Sequence, residues 1–265
     1  QMTSMEERPL SSTTYAIYAL CQGWREGDVS TLLYLTNPGH LTRVPYFFWV
    51  LVPGEGEPIL VDTGFLEDDH KSRYIGFEDY RRPRDLLSPF GLAPADVSRV
   101  ILTHLHWDHF AASRLYLGAE FHLQRRELEF WRAPESDYHF LRYFITDLED
   151  AAGLESEGRL HLLDGEAEIA PGVTVHPVGG HTPGLQIVRV RTGEGWAVLA
   201  ADAAYVFRSL ESMIPPGIHV HVDDCLSAFD TVKALADKPT LIFPGHDNEI
   251  LRNFPEEHPG VYRLV

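Results

Sequence analysis

A group of histidines and an aspartate follows a short apolar segment near the middle of the chain. The segment is RVILT at 99–103, and HLHWDH at 104–109 comes directly after it. Neutral imidazole and carboxylate groups are ligands for zinc, manganese, iron and cobalt. In an extended HxH stretch, alternate side chains lie on one face, so the first two histidines can bind one ion. The pattern indicates either a solvated polar turn or the first half of a metal site.

Three later strand-like segments also end in histidine or aspartate. VTVHPV leads into GGHTPG, WAVLAAD ends in its own aspartate, and TLIF leads into PGHD. The residues at these ends are His181, Asp202 and His246. Catalytic groups of α/β proteins commonly lie beyond the carboxyl ends of strands. Four such ends in one chain favour the metal site over the polar turn.

The predicted ligands fall into two sets of three and one shared carboxylate. Asp108 and His109 lie on the turn after His106, so we expect them to point at a second ion. The first set is His104, His106 and His181, the second set is Asp108, His109 and His246, and Asp202 bridges the two. Paired ions of this kind stand about 3.5–4 Å apart and can share a hydroxide.

Strand-like and helix-like segments alternate along the chain. The predicted strands are 45–52, 58–64, 99–103, 173–178, 186–190, 196–202 and 240–245, and the predicted helices are 82–90, 124–132 and 223–237. The first two strands flank a PGEGE turn, which predicts a hairpin. The alternation predicts a layered α/β fold with helices outside paired sheets, in one domain over residues 1–265.

Charge and composition limit the partners and the location. The 22 lysine and arginine residues against 39 aspartate and glutamate residues give a net charge of −17, which repels nucleic acid and anionic membrane surfaces. The chain has no apolar run near the roughly 18 residues of a membrane span, and its first residues lack the pattern of a secretory signal. Cys21 and Cys225 form no CxxC pair, so we expect them to pack in the core. We expect a cytoplasmic protein that acts on a small molecule and binds neither nucleic acid nor membranes.

Four motifs together resemble the metallo-β-lactamase superfamily: THLHWDH, GGHTPG, AADAAY and PGHD, in this order. ILVDTG at 59–64 is also similar to a recurring strand of that family. The resemblance covers about residues 45–250 and implies a four-layer αββα sandwich, with a dinuclear site at one edge of the two sheets. It also implies that Asp62 is a buried carboxylate behind the metal ligands.

Within the superfamily, Tyr205 favours the lactonases. Its position three residues after Asp202 resembles the N-acyl homoserine lactonases and their neighbours, in which a tyrosine reaches the carbonyl or leaving oxygen of the substrate. The segments QRREL at 124–128 and PPGIHV at 215–220 resemble the same group. These lactonases are often dimers, so the resemblance also implies a homodimer.

The predicted reaction is the opening of a lactone ring, either an N-acyl homoserine lactone or a related lactone. A hydroxide shared by two divalent ions attacks the carbonyl, and we expect zinc, with manganese, iron or cobalt as alternatives. Asp108 carries the proton to the leaving alkoxide, and Tyr205 donates a hydrogen bond to the developing oxyanion.

Three other functions remain open. A glyoxalase II-like thioesterase shares the ligand pattern, although its usual basic C-terminal region has no counterpart in the short tail after His246. A nuclease or phosphodiesterase of the same fold is disfavoured by the negative charge. A metal-binding sensor would not need Asp108 as a proton carrier. A true β-lactamase is not among the three, because that class usually lacks a carboxylate at the position of Asp202.

Several residues are candidates for shaping the substrate cleft. Phe110 stands where many lactonases have a smaller residue, and Leu185 stands where many have histidine. We expect the bulk of Phe110 to reshape the cleft. Further candidates for the lining are the aromatic segment 138–144, Trp107, Phe47 or Phe48, and His219 or His221.

Overall fold

Two β-sheets lie at the centre of the computed structural model, which describes residues 13–68, 76–138, 140–145 and 148–265. The strands are β1 (Tyr15–Asp28), β2 (Leu41–Pro53), β3 (Ile59–Val61), β4 (Arg99–Ile101), β5 (Glu120–Gln124), β6 (Leu160–Leu163), β7 (Ala167–Ala170), β8 (Val173–Pro177), β9 (Gln186–Thr192), β10 (Gly195–Ala201), β11 (Ile242–Pro244), β12 (Glu256–His258) and β13 (Val261–Arg263). The larger sheet has the strand order β12-β13-β1-β2-β3-β4-β5-β6, and the smaller sheet has the order β11-β10-β9-β8-β7.

Helices connect the strands, and several of them cover the outer faces of the two sheets. They are α1 (Val29–Leu32), α2 (Pro83–Leu87), α3 (Trp107–Phe110), α4 (Arg125–Arg132), α5 (Glu149–Ser156), α6 (Phe207–Ser212), α7 (Val222–Leu235) and α8 (Asn248–Asn253). Short 3₁₀ turns lie at 88–90, 94–96, 113–115, 134–138, 140–144 and 239–241. Within the described residues, no helix has both the length and the apolar character needed to cross a membrane.

Side chains along β2 alternate between the two faces of the larger sheet, and this alternation separates the hydrophobic cores of the fold. Phe48 and Val50 pack into an outer core that includes residues of α2, α4 and α5. Phe47 and Trp49 point the other way, into a core between the two sheets. A third core lies between the smaller sheet and α6 and α7, where Phe229 is fully buried. Helices, sheet, sheet and helices therefore form four layers, and the predicted αββα sandwich is confirmed.

Strand direction places the polar strand ends together. β3 and β4 are parallel neighbours, and so are β10 and β11. β8 runs in the same direction as β10, because both pair antiparallel with β9. The carboxyl ends of β8, β10 and β11 thus share one edge of the smaller sheet, as those of β3 and β4 do in the larger sheet. The predicted ligands follow four of these five ends, and Asp62 follows the fifth.

The longest strand is one that the sequence patterns do not predict. β1 spans fourteen residues and pairs with β2 along its whole length, apart from an irregularity between Cys21 and Gly23. Gly23 has a φ of 148°, and a Cβ there would lie 2.9 Å from the carbonyl oxygen of Glu78. This irregularity shifts the alternation of side chains between the two faces of β1, so the strand pattern is hard to recognise in the sequence. The alanine, glycine and cysteine residues of β1 also give little indication of a strand. Cys21 and Cys225 are buried and form no disulfide.

Candidate metal centre

The first group of donor atoms surrounds one oxygen of Asp202. The Nε2 atom of His181 lies 3.2 Å from Nε2 of His104 and 2.8 Å from Nδ1 of His106. The Oδ2 atom of Asp202 lies 3.2 Å from His181 Nε2 and 3.6 Å from His104 Nε2. These four side chains are buried, and their donor atoms all lie within 4.8 Å of one another.

The second group surrounds the other oxygen of the same carboxylate. The Oδ1 atom of Asp202 lies 3.2 Å from Nε2 of His246 and 3.4 Å from Nε2 of His109. The Oδ2 atom of Asp108 lies 3.3 Å from His109 Nε2 and 3.6 Å from His246 Nε2. The structure therefore brings together all seven ligands named from the sequence, in the same two sets, with one oxygen of Asp202 facing each set.

The chemistry of the donors fits divalent cations. Burial and the neighbouring histidines hold the pKa values of His104 and His106 well below their usual value, which favours the neutral, ligating imidazole. Burial alone would raise the pKa of Asp202, but the facing His109 and His246 hold it well below its usual value. His109 Nε2 and Asp202 Oδ1 are buried without a hydrogen-bond partner. A metal ion satisfies such atoms.

Hydrogen bonds orient four of the five histidines. In each case Nδ1 meets an oxygen of the protein, so Nδ1 carries the proton and Nε2 is left free to bind a cation. The contacts are His109 to Asp62 Oδ2 at 2.7 Å, His181 to the Ile218 carbonyl at 2.7 Å, His246 to the Pro45 carbonyl at 2.9 Å and His104 to Thr103 Oγ1 at 3.0 Å. His106 differs, because its Nδ1 faces the donor group.

Asp62 links two of these contacts. Its Oδ1 accepts the backbone N–H of Thr103 at 2.7 Å, and its Oδ2 accepts the Thr103 hydroxyl at 2.8 Å. The same hydroxyl accepts the Nδ1 proton of His104, so one buried carboxylate orients His109 directly and His104 through Thr103. Asp62 has a φ of 64°, a conformation that is costly for a residue other than glycine.

Glu127 is a buried residue of the site that the sequence did not reveal. It lies on α4, is completely buried and accepts three hydrogen bonds from neighbouring N–H groups. Its Oε1 accepts from the backbone of Leu105 at 3.1 Å and from the Trp131 indole at 2.9 Å, and its Oε2 accepts from the backbone of Gly184 at 2.9 Å. A Cβ on Gly184 would lie 2.2 Å from the Glu127 nitrogen, so only glycine fits there. Glu127 thus ties the loop of His104 and His106 to the loop of His181.

A cavity of about 60 Å³ opens beside the donor atoms. Its lining is formed by Arg25, Thr31, Leu32, Val44, Tyr46, His106, Trp107, Asp108, Phe144, Asp202, Tyr205, Ile218 and His246. The Tyr205 hydroxyl lies 3.5 Å from His181 Nδ1, too far for a strong hydrogen bond. Burial raises the pKa of Tyr205 well above its usual value, so the hydroxyl keeps its proton and can act as a donor.

The structure corrects several of the predicted cleft residues. Phe110 is fully buried in the outer core of the larger sheet, and Leu185 is fully buried beneath α7, so neither reaches the cavity. Phe47 and Phe48 also lie in the sheet cores. Their side chains alternate across strands whose two faces are both covered, so aromatic character alone could not separate core from cleft.

The remaining residues predicted to line the cleft are only partly found in the lining of the cavity. His219 and His221 do not line the cavity. The residue before His219, Ile218, lines it instead, and the carbonyl of Ile218 orients His181. Trp107 and Phe144 do line it. His139 lies outside the described residues, as do the side chains of Tyr138, Phe140 and Tyr143.

The donor residues lie within a part of the chain that matches a known protein family. The sequence model of the metallo-beta-lactamase superfamily matches residues 41–246. An N-acyl homoserine lactonase of a Bacillus species is 28% identical over 86% of this chain and 93% of its own length. The N-acyl homoserine lactonase AttM of Azorhizobium caulinodans is 30% identical over 94% of this chain and 99% of its own length.

A solved structure extends this similarity to the fold. It is an N-acyl homoserine lactone hydrolase with the product N-hexanoyl-L-homoserine bound at its catalytic metal centre. Its TM-score to this chain is 0.75 at 26% sequence identity, over 92% of this chain and 98% of the other.

Proposed function

The chain belongs to the metallo-beta-lactamase superfamily, and we propose that it opens the ring of a lactone, an N-acyl homoserine lactone or a related one, at a centre of two divalent metal ions. The observation that carries the proposal is the carboxylate of Asp202, whose two oxygens face separate sets of three donors beside a cavity lined by Tyr205. The lactonases named above match the chain over nearly its full length, which supports the same reaction.

The ligand assignment follows the two donor groups. His104, His106 and His181 would hold one ion, and Asp108, His109 and His246 would hold the other, with Asp202 shared. We expect zinc, although manganese, iron and cobalt also suit histidine and aspartate. When bound, two such ions supply an activated water and a Lewis acid for the carbonyl oxygen.

Asp108 is the residue that we assign to proton transfer. It lines the cavity, and among the described lining residues the other carboxylate is Asp202. Asp202 faces donor nitrogens with both oxygens, whereas the contacts of Asp108 with His109 and His246 involve only Oδ2. Its other oxygen can take the proton of the attacking water and deliver it to the alkoxide that leaves the opened ring.

Tyr205 is assigned to the oxygen of the substrate. Its hydroxyl keeps its proton and, apart from the long contact with His181, meets no acceptor among the described residues. A donor fixed beside the cavity stabilises the negative charge that develops on the carbonyl or leaving oxygen. Trp107 and Phe144 wall the same cavity, which limits the entry of water around the reacting atoms.

The remaining parts of the proposal concern organisation and location. We place residues 1–265 in one domain and propose a cytoplasmic homodimer that binds neither nucleic acid nor membranes. The net charge of −17 supports the absence of polyanionic partners. Sedimentation of the protein alone would test the dimer. Sedimentation with added DNA would test whether the protein binds DNA, since a DNA complex would sediment faster and would weaken as the salt concentration rises.

The direct test is to load the protein with zinc or manganese and measure metal content and hydrolysis together. We expect about two equivalents of metal per chain and turnover of lactones in a panel that also contains thioesters, phosphodiesters and β-lactams. Chelated protein is the control, and it should regain activity when metal is restored. A metal content that stays near one equivalent would contradict the dinuclear centre, and turnover of the thioesters alone would contradict the lactonase.

Replacing Tyr205 with phenylalanine should lower kcat on the best lactone by about 10-fold. A single preorganised donor is worth about 10²–10³ in rate, and we expect less here because the metal centre shares the stabilisation. Phenylalanine keeps the ring packing, so metal content and thermal unfolding should match the wild type. The matched control is Tyr18→Phe, which removes the hydroxyl of a tyrosine that packs against the outer core of the larger sheet. Unchanged kcat and KM in Tyr205→Phe would leave the tyrosine with a packing role only.

A further inference from the structure

Arg25 brings a positive charge to the rim of the cavity beside the metal centre. It lies on β1 and, of the residues that the structure describes, is the only arginine or lysine in the cavity lining. Its Nε donates to the hydroxyl of Tyr46 at 2.8 Å. The ring of Tyr46 in turn packs 5.0 Å from His246 and 5.7 Å from Trp107. Arg25 is therefore held one side chain away from a metal ligand.

No acidic residue within the described parts of the chain neutralises the guanidinium of Arg25. Among the described residues no carboxylate forms an ion pair with it, although the chain carries 39 acidic residues. Its Nη1 donates only to the backbone carbonyl of Glu26, at 3.1 Å, and the part of the chain that the structure describes offers Nη2 no acceptor. An arginine in this state can donate two parallel hydrogen bonds to a carboxylate.

The size of the cavity decides what can reach this arginine. About 60 Å³ is the share of roughly two water molecules, which is less than a lactone ring of six heavy atoms needs, so a lactone bound at the donor atoms fills this space and extends out of it. A substituent of the ring must then point outward, past Arg25, which is the partly exposed basic residue of the described lining. An alkyl chain would leave the charge of Arg25 unpaired, whereas an anionic group would form an ion pair with it.

We propose that Arg25 determines specificity for a lactone that carries a carboxylate close to the ring, an inference that rests on the proposed lactonase function. The carboxylate accepts from Nη2 and from the second N–H of Nη1, while Tyr46 holds the guanidinium through Nε. A neutral amide oxygen could accept one hydrogen bond from the same group, but it would leave the charge unpaired. The preferred substrate is thus anionic before the ring opens.

The test uses three lactones that differ at one position: γ-butyrolactone bearing a carboxylate, the same ring bearing an N-methylcarboxamide, and the unsubstituted ring. For the wild type, kcat/KM on the carboxylate should exceed that on the amide by about 10-fold. Arg25 is partly exposed, so we expect its hydrogen-bonded ion pair to contribute at the lower end of the range usual for hydrogen bonds to charged groups. Arg25→Met should bring the ratio close to one, and Arg25→Lys should keep part of it. Arg43→Met removes an exposed arginine from β2 and should leave the ratio unchanged.

A binding measurement separates this inference from the proposed function. Calorimetry with cyclopentanone carboxylate, a ring that cannot be hydrolysed, should detect binding to wild type and Arg43→Met and a loss of about 10-fold in affinity for Arg25→Met. If no lactone is hydrolysed but this pattern of binding holds, the proposed function fails and the anion site stands. If the amide is hydrolysed as well as the carboxylate, or if Arg25→Met lowers all three rates equally, the anion specificity is wrong.

Discussion

Asp108→Asn should reduce kcat/KM on the best lactone by about 10²–10⁴-fold, the usual contribution of a positioned acid–base group. Asparagine keeps the shape and one ligating oxygen, but it cannot accept a proton at neutral pH and return it to the leaving alkoxide. Because His109 and His246 remain, we expect the variant to retain at least one ion. Steady-state rates and elemental analysis on the same preparation provide the measurement.

An exposed aspartate provides the control for this variant. Asp85→Asn, on α2, changes the net charge by the same amount and should keep wild-type rates. Full activity of Asp108→Asn with a normal metal content would remove Asp108 from the mechanism. Loss of both ions would instead mean that its principal role is to bind metal.

Glu127→Ala should destabilise the fold by about 3–5 kcal/mol, because it leaves three buried N–H donors without an acceptor and each costs about 1–3 kcal/mol, with incomplete additivity. In a chain of this size, that loss corresponds to a fall of about 6–15 °C in Tm. The loops of His104 and His181 also lose their common anchor, so the metal content should fall. Thermal unfolding and elemental analysis measure the two effects.

A second glutamate of the same helix is the matched control. Glu129 lies two residues further along α4 and is exposed, so Glu129→Ala should change Tm by less than about 2 °C. If Glu127→Ala unfolds like Glu129→Ala, the buried hydrogen bonds do not hold the two loops. A lower Tm with an undiminished metal content would limit Glu127 to stability.

The clustering of the predicted metal ligands could be anticipated because each follows the end of a strand. The apolar segments before His104, Asp202 and His246 are short and bounded by polar, glycine or proline residues, and histidine and aspartate combine into a recognised donor set. The two-sheet fold followed from the same segments and from the family resemblance. Strand limits differed by a few residues, as at β4, which ends at Ile101 where the sequence predicted residue 103.

The supporting residues were not predictable, because their roles depend on distant parts of the chain. Glu127 looks like a solvent-facing position in an amphipathic helix, and it is buried only because loops 22 and 57 residues away fold over it. Arg25 belongs to β1, whose pattern is interrupted at Gly23. Phe110 was expected to shape the cleft because many lactonases have a smaller residue at that position, yet its side chain points into the core. Such contacts are tertiary and leave little trace in local periodicity.

The division of the donors between distant strand ends has a consequence for how the chain acquires its native state. Four of the seven donor residues lie within 104–109, but His181, Asp202 and His246 come from the smaller sheet and are absent from any local fragment. Contacts between residues so far apart in sequence form slowly, because long loops must close first. If the proposed centre is correct, an unfolded chain would hold a cation only with the incomplete local set, and the carboxylate of Asp202 would join that set when the two sheets dock. The time at which a cation is taken up during refolding would therefore show when the smaller sheet docks. A cation present from the start would stabilise the docked state relative to the state in which the two sheets are apart.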